Sequence, residues 1–327
     1  MENDTIVITG GLGFIGSRFI HAVYENTKLK IINIDKETYA ADHARLSERM
    51  RQDIKRYRFM KEDICIDFNK LPDLEQDALL KAKYVVNFAA ETHVDNSITN
   101  GRPFVKTNVE GVLNLLEYFK HAKKLKKFIQ ISTDEVYGDM YDLQGRQSSD
   151  ESFKLRPSSY YSATKASAEL LVQAAARTFD VPYLITRTCN NFGPNQNPEK
   201  FIPKVFKAIK GDLEIPIYGD GLQSREWMHV DDNCQTILEL MFSSAENEEY
   251  NIGSGFHYKN IEIVKYIAKQ LGMELKTVHV EDRLGHDRVY RLNNKKTEEF
   301  LGEKVYQTLE GFLKDEISRT KDFSNRG

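Results

Sequence analysis

Thr5-Ile6-Val7-Ile8-Thr9 runs directly into Gly10-Gly11-Leu12-Gly13-Phe14-Ile15-Gly16, and this junction limits the fold more than any other stretch of the 327 residues. A β-branched run reads as a buried strand, and the G-x-x-G-x-x-G spacing after it opens a helix. Glycines there permit a tight turn and bring backbone close to a pyrophosphate, whose charge rests on free N–H groups at the helix N-terminus. About twenty residues further on, the next strand ends in Asp35. A carboxylate in that place accepts hydrogen bonds from an adenosine ribose diol and repels a 2′-phosphate, so NAD is expected rather than NADP. Lys36 beside it is the feature that could accommodate the phosphate.

Further short runs at Lys30–Ile34, Tyr57–Met60, Tyr84–Phe88, Phe128–Ser132 and Tyr183–Thr186 alternate with helical patterns. This alternation predicts an α/β fold, a parallel sheet with crossover helices on both faces. Val105, Val109, Val112, Leu113, Leu116 and Phe119 recur at helical spacing, and a second long helix fits Ser159 to Phe179. These helices either cover the sheet or form a dimer surface. After Thr186, the stretch Asn190 to Pro198 is turn-rich and is expected to continue neither helix nor strand. Helical patterns return near Pro203–Lys210 and Ile261–Leu271, the second closed by Gly272, where a C-cap glycine belongs. The basic run His121 to Lys127 reads as solvated charge at a helix C-terminus rather than as a binding patch.

Forty-six basic against 49 acidic side chains leave a formal charge of −3. That balance lacks the positive field that holds nucleic acid or an anionic membrane surface. Cys65, Cys189 and Cys234 form no close pair, which suits neither a disulfide framework nor a zinc site. No metal is expected, and a reducing cytoplasm is the expected location. The N-terminus lacks the basic start and long apolar region of a signal peptide.

Two further motifs carry chemistry. Tyr161 and Lys165 stand one helical turn apart in Tyr161-Ser162-Ala163-Thr164-Lys165, so phenol and ammonium share a face. Using a tyrosine as a base near neutrality means stabilising its phenolate by about 3 pH units, or roughly 4 kcal/mol. Lys165 and an oxidised nicotinamide, both cationic, act in that direction. Tyr160 lacks such a partner, because Thr164 stands four residues beyond it. The second motif, Ser132-Thr133-Asp134-Glu135-Val136-Tyr137-Gly138, lies at the carboxyl end of the predicted fifth strand, where an open parallel sheet places its reactive groups. A hydroxyl followed by two carboxyls offers a hydrogen-bond donor, an acid and a base. Read alone, it is equally a polar turn capped by Asp134.

These motifs, with Ala89-Ala90-Glu91-Thr92-His93-Val94-Asp95, Pro198-Glu199-Lys200, Tyr218-Gly219-Asp220-Gly221 and Asp282-Arg283-Leu284-Gly285-His286-Asp287, resemble the extended short-chain dehydrogenase/reductases. Within these, the Thr-Asp-Glu element is similar to that of the dTDP-glucose 4,6-dehydratases. The resemblance spans nearly the whole chain. It implies a Rossmann-type doubly wound parallel sheet with a smaller C-terminal α/β substrate-binding domain. The expected NAD-binding domain covers 1–188 with return segments at about 217–253; residues 189–216 and 254–327 make the sugar-nucleotide domain.

The implied activity is that of a hydro-lyase, which oxidises C4 of dTDP-glucose, eliminates water across C5 and C6 and returns the hydride to C6. The product is a 4-keto-6-deoxy sugar nucleotide, and NAD stays bound and is recycled. Tyr161 is the implied base at the C4 hydroxyl, assisted by Thr133 and Lys165; Glu135 takes the C5 proton and Asp134 protonates the departing oxygen. Cofactor contacts carry over onto Gly10, Gly13, Phe14, Ile15, Gly16, Asp35, Lys36, Thr38, Asp63, Ile64, Phe88, Ala89, Ala90, Thr107, Tyr161, Lys165 and Asn191. Substrate contacts carry over onto Thr92, Thr133, Asn190, Lys200, Phe201, Tyr218, Arg225, Asn260, Arg283 and His286. Asn96 stands where relatives carry arginine, and Cys189 replaces a serine. A homodimer through the two long helices is also implied. The alternatives are the same dehydration on a UDP-, GDP- or CDP-linked sugar, a sugar-nucleotide 4-epimerase using only the Tyr161 redox step, and an NAD-binding regulatory scaffold.

Overall fold

The structure is a computed structural model and describes residues 4–141 and 148–324. Among these, the strands in chain order are β1 (Thr5–Thr9), β2 (Lys30–Asp35), β3 (Tyr57–Lys61), β4 (Ala82–Asn87), β5 (Lys127–Thr133), β6 (Tyr183–Thr188), β7 (Asn190–Phe192), β8 (Ile215–Tyr218), β9 (Ser224–His229), β10 (Glu248–Ile252), β11 (His257–Lys259) and β12 (Thr277–Val280). Seven form one sheet in the order β10-β6-β5-β4-β1-β2-β3, every neighbouring pair parallel. All residues of β1, β5 and β6 are buried, as a strand covered on both faces requires. Alternation splits β1 between two cores: Ile6 and Ile8 pack on one face, Val7 on the other. The sheet is doubly wound, and its order reverses between β1 and β4, the switch point at which such sheets bind ligands.

Around β7, β9 and β11, and the parallel pair β8–β12, a third core forms from Phe192, Ile202, Val205, Trp227, Ile263, Val264 and Leu309. Asn190–Phe192 was expected to be neither helix nor strand, yet β7 pairs in parallel with Trp227–His229. Burial of Phe192 in the third core, a long-range contact, overrides the local turn propensity. Within the return segment expected over about 217–253, β9 joins this smaller unit, whereas the helix Val230–Phe242 and β10 go back to the large sheet.

Two other local readings change. Lys127 is buried, and its Nζ donates to the carbonyls of Leu240 (3.0 Å), Met241 (3.1 Å) and Ser243 (2.7 Å). It closes the C-terminus of the returning helix instead of being solvated. The helical pattern from Val105 to Phe119 is broken by a π-helical turn at Lys106–Glu110 before the helix Gly111–Phe119. Among the described residues, no helix is long and apolar enough to cross a membrane.

Candidate active site

The site opens along the carboxyl ends of β1, β4, β5 and β6. At the first of these, Gly10 has φ +68°, and a Cβ there would sit 2.6 Å from the Ala89 backbone nitrogen. A Cβ on Gly16 would run into the Gly10 carbonyl oxygen. The helix Phe14–Asn26 begins at Gly13 without a side-chain cap, so its first N–H groups are left for a ligand. Asp35, at the end of β2, is buried and accepts from the backbone N–H groups of Leu12 (3.0 Å) and Glu37 (2.9 Å). Lys36 does not offer a free charge to a 2′-phosphate: its Nζ lies 3.8 Å from Asp63 and 3.7 Å from Glu91, and donates to Thr107 Oγ1.

Thr133 ends β5 and caps the short 3₁₀ turn Asp134–Tyr137, accepting from the Glu135 N–H at 3.3 Å. The chain then turns sharply at Gly138, φ +74°, where a Cβ would strike the Arg156 carbonyl oxygen. Opposite this turn, the helix Tyr160–Phe179 starts with a Ser159/Ser162 capping box, which fixes its first turn and so Tyr161. Lys165 Nζ donates to the Ile131 carbonyl of β5.

The two adjacent carboxyls differ. Asp134 is held well above the carboxylate range by burial, then by Glu135 and Glu226. Its Oδ1 accepts from Thr133 Oγ1 at 3.2 Å, and its Oδ2 is buried without a partner. Burial raises Glu135 too, but Arg225, Arg283 and Lys200 oppose the rise. Tyr161 is pushed up by burial and then by Glu135 and Asp134, with a hydrogen bond to Thr133 acting the other way. Burial lowers Lys165 to about 8 against the pull of Glu169.

On the substrate side, Arg225 is buried, donates to the Asp287 carbonyl at 2.7 Å, and stacks 4.4 Å above the Tyr290 ring. Arg283 reaches Asp95 at 3.0 Å while its Nε is buried and unpartnered. His286 turns inward, with Nδ1 2.6 Å from Asp282, and burial followed by Arg283 lowers it to about 4. Lys200 reaches Thr92. Every residue expected to contact cofactor or substrate lines one cavity of about 680 Å³. The same wall holds Lys204 and Lys207, which the sequence reading missed. Their spacing from Lys200, four and seven residues, places all three on one helical face and was the available signal.

The cavity suits a dinucleotide on two structural grounds: the glycine cradle that any Cβ would fill, and the buried unpartnered Asn191 Oδ1 and Asp134 Oδ2 on its wall. The NAD dependent epimerase/dehydratase family matches residues 6–253. The chain belongs to this family. Curated proteins similar to it include the low-salt glycan biosynthesis protein Agl12 of Haloferax volcanii, 42% identical, the match covering 89% of this chain and 91% of that protein. The dTDP-glucose 4,6-dehydratase of Streptomyces niveus is 38% identical over 91% of this chain and 87% of its own length. Among solved structures, the Streptomyces venezuelae dTDP-glucose 4,6-dehydratase DesIV, with NAD and TYD bound, superposes with a TM-score of 0.89 at 34% identity, covering 98% of each chain. A Thermotoga maritima UDP-glucose 4-epimerase superposes with a TM-score of 0.84 at 26% identity, covering 98% of this chain and 99% of its own.

Proposed function

We infer that this protein is an NAD-dependent hydro-lyase, a sugar-nucleotide 4,6-dehydratase that converts dTDP-glucose to dTDP-4-keto-6-deoxyglucose. One observation carries the chemistry: adjacent carboxyls with opposed environments stand beside a buried tyrosine in one cavity. Similarity to dTDP-glucose 4,6-dehydratases over most of the chain supports the nucleotide and the sugar.

NAD, when bound, supplies a hydride acceptor at C4 and a hydride donor at C6. Gly10, Gly13 and Gly16 leave room for its pyrophosphate on the helix N-terminus, and Asp35 takes the adenosine ribose. Tyr161 removes the C4 hydroxyl proton, a task its surroundings oppose and that the Lys165 ammonium and a bound nicotinamide cation would favour. Thr133 hydrogen-bonds the same oxygen. The resulting C4 ketone acidifies the C5 proton, which Glu135 removes. Asp134, held protonated, gives its proton to the C6 oxygen, and water leaves. Glu135 then returns a proton to C5. Arg225 and Lys200 supply cationic donors for the diphosphate, and the larger and smaller units divide the work between NAD and sugar nucleotide.

We also propose a homodimer through the segments 102–119 and 160–179, supported by exposed Val105, Leu113 and Leu170. Light scattering of L113E/L170E against wild type reads it. A cytoplasmic location is proposed on the free cysteines Cys65, Cys189 and Cys234.

The function is tested by mass spectrometry after mixing purified protein, without added NAD, with dTDP-, UDP-, GDP- and CDP-linked glucose in separate tubes. Loss of one water from dTDP-glucose is expected. Loss from another member reassigns the nucleotide; an isomerised sugar of unchanged mass identifies an epimerase.

A further inference from the structure

The helix Tyr160–Phe179 carries a third polar residue in register with Tyr161 and Lys165, one turn beyond them: Glu169, fully buried. Its carboxylate is enclosed by donors from two strands. Ser132 Oγ of β5 donates to Oε1 at 2.5 Å. Arg187 of β6 donates from Nε to both oxygens, at 3.2 and 3.1 Å, and from Nη2 to Oε2 at 2.7 Å. The far side of Arg187 continues to the Tyr137 hydroxyl at 2.8 Å, and that hydroxyl donates to Asn251 of β10 at 2.8 Å.

The residues that meet here are next to the reacting ones. Ser132 precedes the Thr133-Asp134-Glu135 turn, and Arg187 stands shortly before Asn190 and Asn191. An ion pair this deep offers little net stability over apolar packing of the same shape, so stability alone does not account for it. We propose that Glu169 is a positioning residue: with Ser132 and Arg187 it sets the helix bearing Tyr161 and Lys165 in register with the strand end bearing Thr133, Asp134 and Glu135, and fixes a carboxylate one helical turn behind the lysine. The proposal rests on the dehydratase reading above. Tyr161 and Glu169 each stand one turn from Lys165 on its own helix, Asp134 and Glu135 at the end of β5 line the same cavity as the lysine, and Arg187 of β6 lies behind Glu169. Glu169 is the charge that opposes the loss of the Lys165 proton.

The experiment compares E169Q, E169D and wild type as NAD-loaded enzyme, reading kcat, KM and the pH profile on dTDP-glucose. E169Q is expected to lose at least about tenfold in kcat with KM within about twofold, and its basic limb to move to lower pH by about one unit. E169D keeps the limb near its wild-type position because it keeps the charge. If E169Q fails to fold around an unpaired Arg187, the double variant E169Q/R187M removes both charges and is read the same way. Wild-type kcat and an unmoved limb in E169Q or the double variant overturns the proposal, and so does a fall in kcat with the limb unmoved, which reduces Glu169 to packing. An inactive wild type would instead overturn the dehydratase reading.

Discussion

Asp134 and Glu135 share one turn of 3₁₀ helix but not one electrostatic environment. Burial raises both, and Glu135 and Glu226 push Asp134 further towards its protonated form, whereas Arg225, Arg283 and Lys200 hold back the rise at Glu135. This difference between two neighbouring carboxyls supports the proposed roles of Asp134 as acid and Glu135 as base. It also explains why the pair must sit at a strand end: a regular strand would point successive side chains to opposite faces of the sheet, whereas the turn lets both line the cavity.

Removing either partner should therefore stop the reaction at a different stage. Glu135→Gln is expected to lose about 10²–10⁴ in kcat and to abolish exchange of the C5 proton with deuterated solvent. Asp134→Asn should lose a similar factor but retain that exchange, because C5 is still acidified by the ketone and Glu135 is intact. Proton NMR of recovered sugar nucleotide in D₂O separates the two; exchange retained in Glu135→Gln contradicts the assignment.

The pH dependence follows from the signs of the shifts. In the proposed mechanism Glu135 is the base and must be ionised; its value is raised, so activity should be lost on the acid side at a higher pH than for an exposed glutamate. Lys165, in the same mechanism, is a cation and is lowered to about 8, so activity should be lost as pH rises through that value. A bound nicotinamide cation shifts the basic limb lower still. A kcat/KM profile over pH should be bell-shaped, and Lys165→Arg, which cannot deprotonate in this range, should flatten its basic side.

Gly16→Ala is expected to purify without NAD. The added carbon meets the Gly10 carbonyl, so the glycine turn must open and the helix N-terminus withdraw from the pyrophosphate. Gly10→Ala carries a further cost of about 1–2 kcal/mol for a side chain at positive φ. Absorbance of extracted nucleotide per protein chain measures both; full NAD occupancy in Gly16→Ala would show that the loop has room to spare.

Lys204 and Lys207 line the cavity from the helix Phe201–Lys210. Their reversal to glutamate should raise KM for the doubly charged diphosphate by about tenfold at low salt, with kcat unchanged, and the effect should shrink at high salt. Initial rates at two ionic strengths decide it. A salt-independent change would mean that these lysines pack rather than attract.

The glycine junction, the six leading strands and the capped catalytic helix were legible because each is a local pattern repeated over several residues. The helix expected from Ser159 to Phe179 is observed as Tyr160–Phe179 with Ser159 as its cap. The site residues were reached through motifs, and the structure gathers them around one cavity. Distant partners were not legible. Lys127 reads as one more lysine in a basic run, because the carbonyls it closes lie more than a hundred residues away. β7 was hidden for the same reason: its pairing partner is β9, and its own residues spell a turn. The π-helical turn at Lys106–Glu110 left no mark on the apolar spacing, yet it carries Thr107 to the cavity and Asn108 to the backbone of Glu91. Glu169 looked like an ordinary helix residue, since nothing in its neighbourhood reveals that Arg187 will face it.

The return of β10 to the large sheet has a consequence for how the chain is made. β6 presents one open edge until Glu248–Ile252 has emerged and paired with it, so a nascent chain that has reached Thr188 holds a strand, buried along its whole length in the finished protein, with unanswered backbone groups. Its buried arginine at 187 also waits for Tyr137 to gain the Asn251 acceptor. The unit begun first thus keeps an open edge while the ribosome delivers β7, β8 and β9 of the smaller one.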